Sequence, residues 1–330
     1  MPIRRIAKLV RARLRPRRHR PAILMYHRVA ILHRDIWDLA VSPENFDEQV
    51  AYIRKHRSPM SMDDLVQRLR SGTLPADAIA LTFDDGYRDN LVNAQPILVR
   101  HNVPATVFVA TGYTNQTTTF WWDELASMIL DSTSPVDLRQ ECGSDSVALS
   151  WGAQEDADHD PAWRGWDPPR SQRQKAYVAL WQRLQSAEQA QRARILGSLR
   201  AQLPSPPDPL GVPMSTAEFD LLTADGLISL GAHTVTHPAL TDLDSAERRR
   251  QIRQSGEQCR ALTTKPVKGF CYPYGNFDAD VRNDVEAEAF CWACTTEIRF
   301  LDDGRQDLLT LPRLTVLNVG AQKFADLITG

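Results

Sequence analysis

Two short runs hold the side chains best placed to do chemistry. Thr82-Phe83-Asp84-Asp85-Gly86-Tyr87 sets two carboxylates side by side directly after an apolar stretch. Adjacent carboxylates taken out of water repel each other, so a cation or a shared proton must intervene. Gly86 permits the sharp turn that would expose both side chains. The second run, His233-Thr234-Val235-Thr236-His237-Pro238, carries two imidazoles four residues apart that can converge on one ion. Two histidines and a carboxylate leave positions open for water and substrate, which suits a hydrolytic rather than a closed structural metal site. Each run alone is a weak signal, since Asp-Asp-Gly is more often a turn and a single histidine more often core.

Both runs fall where strands are expected to end. Ala78 to Phe83 reads as a buried strand handing over to the Asp-Asp loop, and Leu227 to Leu230 leads through Gly231-Ala232 to His233. Further strands are expected at Ala22–Tyr26, Ala105–Ala110, Val267–Tyr272, Cys291–Thr295 and Leu314–Leu317. Helical periodicity runs over about 43–70, 90–100, 215–224, 245–262 and 279–289. This alternation predicts an α/β architecture, a parallel sheet or barrel whose functional residues sit at strand ends. Between about 115 and 215 the rhythm breaks. That stretch holds six of the eight tryptophans (Trp121, Trp122, Trp151, Trp163, Trp166 and Trp181), a polar segment near 141–170, a helical stretch near 171–202 and a proline-rich run. It reads as a helical, tryptophan-rich insertion packed on the barrel, its indoles serving more to anchor it than to stack on sugar.

With 330 residues and 42% hydrophobic content, the chain can build a sizeable core. Five cysteines, an odd number without framework spacing, fit a reducing compartment. The net charge of −2 conceals an asymmetry: residues 1–20 carry nine Lys or Arg and no acid, leaving 30 basic against 41 acidic residues in the body. Ile3, Ile6, Val10 and Leu14 share one side of this arm, which reads either as a basic amphipathic helix resting on anionic lipid or as a disordered segment. No nucleic-acid role is expected, because the acidic body continues no basic surface and no aromatics interleave the arginines. The sequence shows neither a membrane span nor the apolar core of a signal peptide, so the expected location is the cytoplasm, with peripheral contact to the membrane through residues 1–20.

Thr-Phe-Asp84-Asp85-Gly, His233-Thr-Val-Thr-His237-Pro and Phe270-Cys-Tyr-Pro-Tyr-Gly275 occur in the order and context of the polysaccharide deacetylases, the NodB-like carbohydrate esterases, and over about 20–112 and 215–318 the chain resembles that family. The resemblance implies a deformed (β/α) barrel of about seven strands over residues 21–330, with the insertion at about 115–215. It also implies a divalent metal, commonly zinc with cobalt or nickel as substitutes, held by Asp85, His233 and His237. Asp84 would be the general base, and the backbone N–H of Tyr274 would donate to the tetrahedral oxyanion.

Two departures stand out. Many members carry Arg where this chain has Cys271; Arg313, in Leu311-Pro312-Arg313, is the candidate substitute, with a surface ion pair as the alternative. The family's late Leu-x-x-His is absent, since the last strand reads Leu314-Thr-Val-Leu317-Asn318, but Leu24-Met25-Tyr26-His27 has that form at the end of the first. A circularly permuted motif order would make His27 the general acid. The activity implied is N-deacetylation of an N-acetylhexosamine in a glycan, or in a lipid- or nucleotide-linked glycan precursor, the basic arm favouring the precursor. A catalytically silent glycan-binding barrel, or cleavage of another sugar amide such as a formamide, are the alternatives.

Overall fold

The structure is a computed structural model that describes residues 19–131, 135–143, 145–152, 160, 162–203, 211–302 and 306–329. The basic arm therefore lies, but for His19 and Arg20, outside the described residues. Short apolar runs without polar alternation form the strands of a parallel sheet covered on both faces. They are β1 (Ala22–Tyr26), β5 (Ala78–Phe83), β6 (Ala105–Val109), β9 (Ile228–Ala232), β10 (Gly269–Cys271), β11 (Trp292–Cys294) and β12 (Leu314–Thr315). Their order across the sheet is β11-β10-β9-β6-β5-β1-β12, and every pairing between neighbours is parallel.

The sheet curls until its edges nearly meet. Backbone bonds from Ala293 to Leu308, from Leu311 to Ala293 and from Thr295 to Leu311 tie the segment before β12 to β11. The same segment then pairs with β1 through Leu24 and Leu314. One stretch of chain thus bridges both edges, and β1 lies between β5 and β12. A two-residue pair, β2 (Arg28–Val29) with β3 (Ala40–Val41), brackets the loop after β1, and β4 (Ser58–Pro59) joins the start of β5.

Helices fill the crossovers. α1 (Pro43–His56) starts at Ser42, whose hydroxyl accepts from the Asn45 N–H, with proline in the first turn. Phe46, Val50 and Ile53 form its buried stripe. α2 (Met62–Ser71) ends on left-handed Gly72. α3 (Gln95–His101) follows one wide turn at Asn90–Ala94. α7 (Thr216–Thr223), α8 (Ser245–Ala261) and α9 (Ala279–Ala287) complete the later repeats, and α10 (Ala321–Leu327), which no sequence pattern announced, packs Phe324 into the main core.

Residues after β6 build a second apolar core. α4 (Trp121–Leu130), α5 (Gln172–Gln185) and α6 (Gln189–Arg200) surround Trp121, Trp122, Trp151, Trp163, Tyr177 and Leu180. The polar segment expected near 141 holds instead an antiparallel hairpin, β7 (Val136–Cys142) with β8 (Asp145–Trp151). Val147, Leu149 and Trp151 point inward at every second residue, while Ala148 and Ser150 between them face out. Four of the region's indoles are at least 94% buried and anchor it; Trp166 is 43% exposed.

Candidate metal centre and active site

His27, Asp84, Asp85 and His233 sit one or two residues beyond a strand end, His237 and Tyr274 lie further along the loops that leave β9 and β10, and Arg313 directly precedes β12. The Asp84 N–H donates to the Tyr26 carbonyl, that of His233 to Val109, and that of Tyr272 to Cys294. The turns leaving these strands are tight. Asp85, Thr234, His237 and Tyr274 all adopt left-handed backbone conformations, with φ of 74°, 63°, 54° and 58°. Non-glycine residues adopt this region only at a cost, and such strain gathers where side chains must be aimed.

Asp85, His233 and His237 converge. Asp85 Oδ1 lies 3.6 Å from His233 Nε2 and 3.4 Å from His237 Nε2, and all three side chains are buried. His233 Nδ1 is 2.7 Å from the Cys271 carbonyl, which can only accept, so Nδ1 carries the proton and Nε2 keeps its lone pair toward Asp85. Burial lowers the pKa of both histidines and so keeps the rings neutral, as metal ligands must be. Burial, reinforced by the charge of Asp84, pushes the Asp85 carboxyl well above its ordinary range. Asp85 Oδ1 is buried with no hydrogen-bond partner. A carboxylate oxygen facing the His233 lone pair and the His237 ring nitrogen with no hydrogen bond to it fits a divalent cation, whose charge would reverse the cost of ionising Asp85.

Asp84 points the other way. Arg313 forks onto it, Nη1 to Oδ1 at 2.7 Å and Nη2 to Oδ2 at 2.8 Å, and Arg313 is fully buried. Burial alone would raise the Asp84 pKa, but the attraction and hydrogen bonds of Arg313 outweigh it and hold the carboxylate ionised. The remaining guanidinium hydrogens go to the Thr82 hydroxyl, the Thr295 carbonyl and Cys271 Sγ, at 3.1, 2.9 and 3.0 Å. Cys271, Asp84 and His233 also cluster closely enough for an ion, but the guanidinium already supplies the cation there.

His27 Nε2 lies 3.8 Å from Asp84 Oδ2, and burial lowers its pKa to about 4, with Asp84 opposing the drop. Tyr274 occupies the turn after β10. The Gly275 and Asn276 N–H groups close that turn on Tyr272 and Pro273, and the Tyr274 ring packs edge-on against His237 at 4.5 Å.

Several supports lay outside the set of expected site residues. Arg192 of α6, only 4% exposed, sends Nη1 3.0 Å to the Thr236 carbonyl and Nε to that of Leu184, clamping the His233–His237 loop to the second core. Gln251 of α8 accepts from the Val235 and Thr236 N–H groups through one oxygen. Trp122 lies 4.9 Å from His237, and its Nε1 donates to the Tyr87 hydroxyl, which donates to Asp123. An arginine on a helix with a polar sequence gives no hint that its head will be buried. Gln251 does lie on the helix stripe with Ile252 and Ser255, which is the one cue that could have found it.

The fold and this site define a class: a strand-end set of side chains that could hold a metal ion, on a curled parallel α/β sheet, with an arginine-held carboxylate beside it. The polysaccharide deacetylase family model matches residues 71–134 and 210–290, breaking off across most of the second core. The two matched stretches together make up somewhat under half of the chain. Over 84 residues, a quarter of the chain, it is 26% identical to a poly-beta-1,6-N-acetyl-D-glucosamine N-deacetylase of Staphylococcus aureus; that match spans 29% of the relative's length. The deacetylase PplD of Streptococcus pyogenes, solved in complex with acetate, superposes with a TM-score of 0.60 at 16% identity, covering 95% of this chain and all of that one. A polysaccharide deacetylase from Bacillus cereus gives 0.59 at 18%, covering 94% and 70%. These similarities show a shared fold.

Proposed function

We propose that the protein is a metal-dependent N-deacetylase that removes acetyl from an N-acetylhexosamine of a glycan. The observation that carries this reading is the adjacency of Asp84, kept anionic by Arg313, to the Asp85, His233 and His237 set with its unpartnered carboxylate oxygen. A bound divalent ion, zinc by this donor set with cobalt or nickel as substitutes, would polarise the amide carbonyl and acidify a water.

The protein groups then divide the proton work. Asp84 takes a proton from the attacking water. Its Arg313 pair makes it a weak base, so the proton is unstable there and passes on. His27, neutral at rest, lies 3.8 Å away and relays it to the departing nitrogen. The C–N bond breaks, water's oxygen remains on the acyl carbon, and acetate and a free amine leave. The Tyr274 N–H, in its left-handed turn beside His237, is the assigned donor to the carbonyl oxygen as negative charge builds.

The test is acetate release from N-acetylated oligosaccharides, lipid-linked sugars and sugar nucleotides by metal-loaded protein, beside an Asp84→Asn control. Release abolished by the substitution supports the reading. Release from no substrate class above the control rejects it.

A further inference from the structure

The chain between β1 and β2 carries His27, and three side chains from one neighbouring segment grip it. Asn90 Nδ2 donates to the His27 carbonyl at 2.8 Å. Asp89 accepts from Arg28 Nε at 2.8 Å through one oxygen and from the Val29 N–H at 3.1 Å through the other. Asn93 Nδ2 donates to the Val29 carbonyl at 2.7 Å. His27, Arg28 and Val29 are thus each held from a single stretch, residues 89–93.

That stretch continues the Asp84-Asp85 loop and runs into the wide turn at Asn90–Ala94. Such turns gather at functional sites. The loop that carries the base and the strand end that carries His27 are therefore locked into one unit. The lock is buried: Asp89 is 0% exposed, Asn90 1% and Arg28 2%. An ion pair taken out of water costs desolvation that two apolar side chains of similar volume would not, so Arg28 with Asp89 is a poor device for stability alone. What charge-assisted hydrogen bonds supply is fixed direction and distance. Position matters at His27, whose Nε2 is 3.8 Å from Asp84 Oδ2, longer than a direct hydrogen bond. A misplacement of about 1 Å can cost about a hundredfold in rate.

Arg28 also reaches toward the metal set. Its Nη1 approaches Asp123 at 3.9 Å, and its guanidinium lies 4.7 Å over the Tyr87 ring. Tyr87 donates to Asp123 and accepts from Trp122, the indole beside His237.

We infer that Asp89, Asn90 and Asn93, together with Arg28, are positioning residues for His27, setting the distance from which it serves Asp84 and the leaving nitrogen. The inference rests on the proposed deacetylase activity and adds residues to its machinery. None of the four touches the reacting atoms; they act through His27.

The test is a double-mutant cycle. Asn90→Ala, Asn93→Ala and Asp89→Asn are each made in the native protein and in His27→Ala. Acetate release from a β-1,6-linked N-acetylglucosamine oligomer is followed alongside metal content. In the native background each substitution should lower kcat about tenfold or more, with KM little changed and metal retained. In the His27→Ala background the same substitutions should change kcat by less than about twofold, because the residue they serve is gone. Equal losses in both backgrounds, a loss carried by KM, or loss of metal assigns the residues to structure and overturns the inference. The two asparagine variants leave no buried charge unmatched, so they carry the test if Asp89→Asn fails to fold. If the native protein releases no acetate, the deacetylase reading fails, and amide exchange reads the grip by itself. Faster exchange at residues 28–30 in the variants, with residues 78–83 unaffected, supports it; unchanged exchange at 28–30 overturns it.

Discussion

Arg313 and Asp84, separated by 229 residues in sequence, meet as a two-pronged buried ion pair at 2.7 and 2.8 Å. Removing one partner of such a pair leaves the other charge buried and unmatched, at a cost of about 3–5 kcal/mol. Arg313→Met should therefore lower the melting temperature sharply and abolish acetate release. Cys271 Sγ sits 3.0 Å from the guanidinium, so an arginine placed there can reach the same carboxylate. We expect the double variant Arg313→Ala, Cys271→Arg to regain part of the stability and activity lost in Arg313→Ala alone; melting curves and acetate assays check this, and a double variant no better than the single would show the two positions are not interchangeable.

His237→Ala and Asp85→Ala should each reduce bound metal to a small fraction of one equivalent, measured by elemental analysis after gel filtration. His27→Ala, outside the ligand set, should keep its metal while turnover falls about a hundredfold or more, the usual scale of losing a positioned acid. Metal loss in that variant would mean that His27 has been given the wrong role.

Arg192 binds no ligand yet fixes the Thr236 carbonyl between the two histidines. Arg192→Leu should weaken metal affinity about 10–100-fold, as loss of an outer support does, while circular dichroism stays native. Faster amide exchange confined to residues 233–237 would identify the clamp as the cause; unchanged affinity would argue that Gln251 suffices.

Gly275 takes φ +64°, and a Cβ there would fall 2.0 Å from Thr296 Oγ1. Gly275→Ala should displace the Tyr274 turn, lowering kcat more than it raises KM, because the displaced N–H serves the reaction more than substrate binding. A change in KM alone would remove the Tyr274 N–H from the reaction.

Much of the site was legible because its donors lie close together in sequence. Asp84 with Asp85, and His233 with His237, announce themselves by spacing, and the strands before them are apolar runs that any reading would find. The hairpin at Val136–Trp151 was harder. Its alternation is real, but Arg139, Glu141, Asp145 and the polar residues between the inward positions make it read as a solvated loop. Arg192 was illegible for another reason. Whether an arginine head is buried depends on which carbonyls the fold brings to it, and the carbonyl of Thr236 comes from a loop 44 residues away. The indoles of the second core were expected to anchor it, and most do, but Trp122 also touches His237, a contact that sequence spacing cannot show.

The segment that bridges β11 and β1 also carries Arg313. The sheet is stitched together at its edges by the same short segment that supplies the buried counter-charge of Asp84. If this segment docks last, the helices and most of the sheet form before Asp84 meets Arg313. Catalytic competence should then return with the slowest folding phase, lagging the optical signals of secondary structure.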